Sequence, residues 1–126
     1  MAKVTGIGGV FFKAKSDKAA LARWYEEHLG MKLEPFGAAI LRWIDDHASD
    51  GGATVWMPAD HDTTWFAPST SDFMINYRVD DLVGLLAQLA ATGILPVQGP
   101  TTEENGSFAW IVDPDGNKLE LWEPKD

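Results

Sequence analysis

Apolar and polar positions along this chain switch between a period of two and a period near 3.6, and they do so twice. "GIGGVFFKAK" alternates from Gly9 onward, with Val10, Phe12 and Ala14 on one side and Phe11, Lys13 and Lys15 on the other. That pattern predicts a strand with one buried face. Ser16 or Asp17 then offers a helix N-cap, Leu21, Trp24, Tyr25 and Leu29 follow at helical spacing, and Gly30 supplies a stop. "MKLEPF", "AILRWID" and "ATVWMP" come next, separated by turn-rich pieces such as "DDHASDGG", and read as three strands. After "PADHDTTWFAPSTSD" the pattern restarts. "FMINYRVDD" alternates, with Phe73, Ile75, Tyr77 and Val79 on one side and Met74, Asn76 and Arg78 on the other. Asp80 or Asp81 can cap a helix carrying Leu82, Leu85, Leu86 and Leu89, which Gly93 ends. "ILPVQ", "SFAWIV" and "KLELWE" read as three more strands.

The chain therefore reads strand-helix-strand-strand-strand twice. "ATVWMP" at 53–58 lies over "LELWEP" at 119–124, with Trp and Pro in matching places, which supports an internal repeat. The expected fold class is α+β, a single domain over 1–126 with module 1 at 1–58, a linker at 59–72 and module 2 at 73–126. Each module puts one helix on one face of its sheet. Two modules side by side would curve their other faces around a groove.

Charge narrows the partners. The net charge is -9, and from residue 64 onward ten Asp and Glu face three Lys and Arg. Phosphate backbones and anionic membranes need basic surface, so neither nucleic acid nor membrane is expected. A neutral or cationic small molecule fits the balance. The chain has no Cys, which excludes thiolate chemistry and Cys-ligated metal. It shows no secretory signal pattern and no apolar run of membrane-spanning length, so a cytoplasmic location is expected.

"GIGGVFFKAKSDKAALARWYEEHLGM", "FMINYRVDDL" and "DPDGNKLELWEP" together resemble the glyoxalase / bleomycin-resistance / extradiol dioxygenase superfamily, the vicinal oxygen chelate fold. The closing "DPDGN" followed by a strand glutamate is the most specific of these motifs. The resemblance implies paired βαβββ modules and a cupped, eight-stranded mixed sheet around the site. It also implies, in metal-dependent members, ligands at four strand positions. Carried onto this chain these are Gly9 (or Val10), Thr54, Met74 and Glu120. A catalytic divalent cation wants about three His, Asp or Glu ligands and an open position. Glu120 alone is an ordinary ligand type, so no metal and no other cofactor is expected.

Alternation places Phe11, Lys13, Thr54, Trp56, Met74, Asn76, Arg78, Lys118, Glu120 and Trp122 on the groove face. Aromatic surface with a few polar groups suits a small-molecule cleft. Phe11, Trp56, Met74, Asn76, Arg78 and Trp122 are the expected ligand-binding residues, and Glu120 the candidate catalytic acid or base, with Arg78 as its expected partner. The leading expectation is metal-free binding of a small organic molecule, a cationic one included, as in the antibiotic-sequestering members. The alternatives are a lactoylglutathione-lyase-like or other superfamily enzyme (lyase or isomerase, then dioxygenase) using Glu120 as acid–base or as ligand of a divalent metal, and a non-catalytic interaction module. Sheet edges and an apolar groove wall point to a homodimer. Asp45-Asp46-His47 and Asp60-His61-Asp62 hold metal-capable residues, but their spacing matches no metal motif and turn chemistry explains them. His28 suits the negative end of the first helix dipole.

Overall fold

The first strand, β1 (Val4–Lys13), ends where Asp17 turns the chain into a helix, α1 (Lys18–Leu29). Of the two cap candidates Asp17 acts: its Oδ1 accepts from Ala19 N at 2.9 Å and Ala20 N at 3.2 Å. Strands β2 (Ala39–Arg42) and β3 (Ala53–Ala59) complete the first half. The second half runs β4 (Phe73–Val79), α2 (Leu82–Ala91), β5 (Gln98–Glu103), β6 (Gly106–Val112) and β7 (Lys118–Pro124). The computed structural model describes residues 1–29, 31–43, 53–113 and 116–125, without the side chains of 24, 25 and 27–29. The expected stop at Gly30, the helix face of Trp24, Tyr25 and Leu29, the dipole role of His28, the end of "AILRWID", the Asp45-Asp46-His47 loop and the middle of "DPDGN" lie outside what is described.

The architecture is α+β: a mixed sheet in the order β2-β3-β1-β4-β7-β6-β5, with two helices. Each half pairs its first and last strands in parallel, β1 with β3 and β4 with β7, and adds antiparallel neighbours outside the last strand. The chain divides into two compact units, Gly9–Trp65 and Met1–Gly8 with Phe66–Asp126, and β1 contributes to both.

Seven strands are described where eight are expected. The missing one is "MKLEPF", reduced to a single bridge between Leu33 and Ala39. Pro35 has no N–H for a ladder. Gly37, at φ 92°, closes a turn in which its N–H donates to Glu34 O at 2.9 Å, while Glu34 N donates to Ala38 O at 2.8 Å. Backbone groups that a strand would offer sideways are consumed locally. "ILPVQ" is also displaced: its strand begins at Gln98, and β5 is an exposed edge with a register irregularity between Gln98 and Thr101. Pro100 inside it is tolerated because edge strands have one unpaired side.

In the smaller unit α1 packs on β3, and Lys18 Nζ lies 3.6 Å from Asp60 Oδ2. In the larger unit α2 covers one face of β6 and β7. Leu82 and Leu121 are 2 % exposed and pack with Val79, Ala109 and Ile111, and Leu85, Leu86 and Leu89 lie against them. Each buried leucine contributes about 1.5–3 kcal/mol of transfer free energy. Asp81 caps α2, accepting from Gly84 N at 3.0 Å, and Glu123 Oε1 takes the Leu82 N–H at 2.8 Å. Asp80, the other cap candidate, instead anchors the N-terminal segment: its carboxylate accepts from Lys3 N at 2.9 Å and meets Lys3 Nζ at 3.2 Å. Past α2, Gly93 N donates to Ala90 O and Ile94 N to Leu89 O, ending the helix where expected.

Candidate functional site

Because α2 covers the face of β7 that holds Leu119 and Leu121, Lys118, Glu120 and Trp122 take the other face. The β6–β7 hairpin loop fixes this register. Asp113 N donates to Asn117 O at 2.9 Å, Asn117 N donates to Asp113 Oδ1 at 2.9 Å, and Asn117 Nδ2 donates to Asp113 Oδ2 at 3.0 Å. From that clasp the antiparallel ladder sets Val112 opposite Lys118, Trp110 opposite Glu120 and Phe108 opposite Trp122. On the other side of β7 the parallel ladder sets Asn76 beside Glu120 and Arg78 beside Trp122.

Glu120 is thus the centre of a row across three strands. It is 7 % exposed, and each of its oxygens has a donor. Asn76 Nδ2 donates to Oε1 at 2.6 Å and the Trp110 indole Nε1 donates to Oε2 at 3.0 Å. Burial pushes the Glu120 carboxyl above its ordinary value. The bonds from Asn76 and Trp110 and the charge of Lys118 oppose that, and Glu103 adds a little to it. Lys118, 4 % exposed, donates to Gln98 Oε1 at 2.9 Å, and its ammonium is pushed below its ordinary value by burial, against the pull of Glu120.

Asn76 is itself 3 % exposed, and its Oδ1 is buried without a hydrogen-bond partner. That oxygen packs on Gly8: a β-carbon there would collide with Asn76 Oδ1 and sit 3.0 Å from Trp122 Cε3. The third row holds Arg78, whose guanidinium carbon lies 5.4 Å from the Trp122 ring centre. The expected pairing of Arg78 with Glu120 is therefore replaced by Asn76 and Trp110. Parallel register puts Asn76 next to the carboxylate and Arg78 one row further along. Met74, 3 % exposed, is on the same strand face as Asn76 and Arg78.

Trp110 and Phe108 were not among the expected site residues. The signal was present: Phe108 and Trp110 alternate in "SFAWIV", and closing a hairpin over Asp113–Asn117 puts Trp110 opposite Glu120.

In the smaller unit the ladder pairs Val10 with Trp56 and Phe11 with Met57, and the Phe12 ring lies 5.5 Å from that of Trp56. Phe12 therefore shares the Trp56 face, and Phe11 and Lys13 take the opposite one. Both sides of β1 carry large apolar residues, so alternation alone did not say which side was which. Thr54 Oγ1 accepts from the Trp43 indole at 2.9 Å. Asp60 O accepts from Thr63 N at 3.1 Å, which makes Asp60-His61-Asp62 a turn.

A divalent cation of the kind the resemblance implies does not suit these residues. Both Glu120 oxygens already face N–H donors, and a buried ammonium stands two residues away. Gly9 offers no side chain, and a β-carbon there would meet Val55 O at 2.8 Å. Thr54 is engaged with Trp43, and Met74 brings a soft thioether. Among the described residues no three His, Asp or Glu converge. A surface hollow lined by Thr102, Gly106, Ser107, Glu123, Pro124 and Lys125 lies where β5, β6 and β7 meet the chain's last residues, and none of the Glu120 row lines it.

Residues 12–121 match the family model described as the Glyoxalase/Bleomycin resistance protein/Dioxygenase superfamily. No curated protein sequence matches the chain. Among solved structures, methylmalonyl-CoA epimerase from Mycobacterium tuberculosis is 22% identical, with 98% of this chain and 90% of that one covered and a TM-score of 0.64. A methylmalonyl-CoA epimerase from Streptomyces coelicolor, in complex with 2-nitronate-propionyl-CoA, is 16% identical over 97% of this chain and 96% of that one, with a TM-score of 0.68. A 2,3-dioxygenase from Pseudomonas sp. KL28 is 17% identical, with 98% of this chain but 42% of that one covered and a TM-score of 0.61. At these identities the likeness is one of fold. No described helix is long and apolar enough to cross a membrane.

Proposed function

The chain belongs to the glyoxalase/bleomycin resistance protein/dioxygenase superfamily, and from that premise we propose that it binds a small organic molecule against the aromatic face of its larger unit, without a metal ion. The supporting observation is the Glu120 row. A buried carboxyl is held on both oxygens by N–H donors, beside Trp110 and Trp122. Such a group orients a ligand or moves a proton; it is poorly placed to ligate a cation. In this reading Trp110 and Trp122 border an apolar body, and Arg78 fixes its polar groups. The protein acts as a cytoplasmic homodimer, which sedimentation equilibrium checks.

A second reading is supported by the raised Glu120 pKa. A carboxyl that titrates nearer neutrality suits general acid–base work. Two of the solved structures alike in fold are epimerases, and inverting a carbon centre beside a carbonyl calls for a proton to leave and return. In this reading Glu120 handles the proton on one face of the carbon, a water molecule exchanges the proton on the other, and Asn76 and Trp110 hold the carboxyl in place.

The test is elemental analysis of dialysed protein grown in metal-replete medium. Near-stoichiometric Zn, Ni, Mn or Fe that vanishes in Glu120→Gln overturns the metal-free assignment. A thermal-shift screen of metabolites then identifies ligands. A hit whose stabilisation survives Trp122→Ala shows that the face is wrongly assigned. Turnover abolished by Glu120→Gln with binding intact selects the enzymatic reading over simple sequestration.

A further inference from the structure

Glu120 and Lys118 carry opposite charges, and both are buried on one face of one strand. Lys118 stands two residues before Glu120, about 7 Å along β7, within reach of its four-carbon stem. Among the described residues, however, the donors to Glu120 are Asn76 and Trp110. The ammonium goes sideways instead. It crosses β6 and donates to Gln98 Oε1 on β5 at 2.9 Å, lying 5.9 Å from the centre of the Trp110 ring. Two strand spacings, about 10 Å, separate β7 from β5. The ladders set Gln98, Trp110, Glu120 and Asn76 in one line across four strands.

Buried opposite charges attract more strongly than charges in water, so an ammonium released from β5 would turn to the carboxylate. The Gln98 oxygen accepts without bearing a charge, and it anchors the ammonium without neutralising it. A carboxylate in contact with an ammonium is held ionised and makes a weak base. One held by N–H donors, with the cation at a distance, keeps more affinity for a proton. The balance at Glu120 agrees with a distant cation: burial raises its titration most, and the charge of Lys118 opposes that less than the bonds from Asn76 and Trp110 do. The other charged groups around it are Arg78, which lies over Trp122 on β4, and Glu103, exposed on β5.

We infer that Gln98 is a positioning residue for Glu120: it holds the Lys118 ammonium across β6, prevents an ion pair on β7, and so leaves the carboxyl able to accept and return a proton. The inference rests on the acid–base reading above and adds to it a residue of the exposed edge strand. Gln98 acts through Lys118 rather than on Glu120 itself.

Carbon NMR titration of the Glu120 carboxyl tests this on the full chain, without a substrate. In Gln98→Met the ammonium loses its anchor and turns to Glu120, so the carboxyl titrates at lower pH than in the unsubstituted protein. Gln98→Glu keeps an acceptor oxygen in that place, and the downward shift is absent. In Lys118→Met the carboxyl titrates higher, and adding Gln98→Met changes nothing further. A titration that stays or rises in Gln98→Met overturns the inference. So does a downward shift that persists without Lys118, because Gln98 then acts by another route. Position 98 is exposed on an edge strand, so these substitutions leave the leucine core under α2 intact. Where turnover is found, the acid limb of its pH profile moves down with the titration in Gln98→Met, and an unmoved limb overturns the positioning role. Turnover that survives Glu120→Gln sinks the acid–base reading alone, while the titrations still decide whether Gln98 restrains Lys118.

Discussion

Asn76 occupies the space that a side chain at position 8 would need. The amide oxygen rests on the Gly8 backbone, and the amide nitrogen of the same group holds Glu120 at 2.6 Å. Gly8→Ala must then displace Asn76 and loosen the carboxylate. A loss of about 1–3 kcal/mol is expected from overpacking. In Gly8→Ala/Asn76→Ala the clash is gone, so the double variant is less destabilised than the sum of the singles. Urea unfolding of all four proteins measures the coupling.

Trp110→Phe keeps the ring and deletes the N–H that reaches Glu120 Oε2. The loss of a hydrogen bond to a buried acceptor costs about 1–3 kcal/mol. That bond favours the ionised carboxyl, so its removal also moves the Glu120 pKa further upward. Carbon NMR titration of the Glu120 carboxyl reports the shift, and a pKa that stays in place contradicts the bond.

Stability should slope with pH in two windows, with opposite signs. Glu120 titrates above its ordinary 4.5 in the fold. Between 4.5 and the folded value the native state therefore binds more protons than the unfolded one, and stability falls as pH rises through that window. Lys118 titrates below its ordinary 10.5. Between its folded value and 10.5 the unfolded state binds more protons, and stability rises with pH there. Glu120→Gln should flatten the acidic slope and Lys118→Met the alkaline rise, as read from urea midpoints over pH.

Adjacent aspartates should separate cleanly. Asp81→Ala removes the α2 cap and is expected to cost about 1 kcal/mol. Asp80→Ala removes an exposed link to Lys3 and is expected to cost less. Thermal unfolding of the two variants under one buffer decides the order.

Much of the second half was legible in the sequence because its elements obey local rules that tertiary packing does not override. Asp81, Gly93 and the four leucines of α2 fall where a capped amphipathic helix needs them, and β7 alternates with one face under that helix. "MKLEPF" misled because Met31 and Leu33 imitate a strand, while Pro35 and Gly37 spend its hydrogen bonds on a turn. β5 was displaced because an exposed edge strand needs no apolar pattern. Phe11 was misplaced because register, set by Gly9 meeting Val55, lies beyond single-strand alternation. The partner of Glu120 depended on the same kind of information: strand spacing admits Asn76 and Arg78 equally, and pairing chooses Asn76. The repeat extends further than its matching Trp and Pro. Trp43 donates its indole N–H to Thr54, and Trp110 does the same to Glu120, the residue that the repeat sets over Thr54.

The clasp between Asp113 and Asn117 has a consequence for how this chain can evolve. A hairpin that closes on a fixed number of residues also fixes the parity of the strand that follows. One residue inserted there would swap odd for even along β7, sending Glu120 toward the leucines of α2 and Leu121 into the aromatic row. Lengthening that loop by two preserves the phase, so lineages that keep the site should vary its length in even steps.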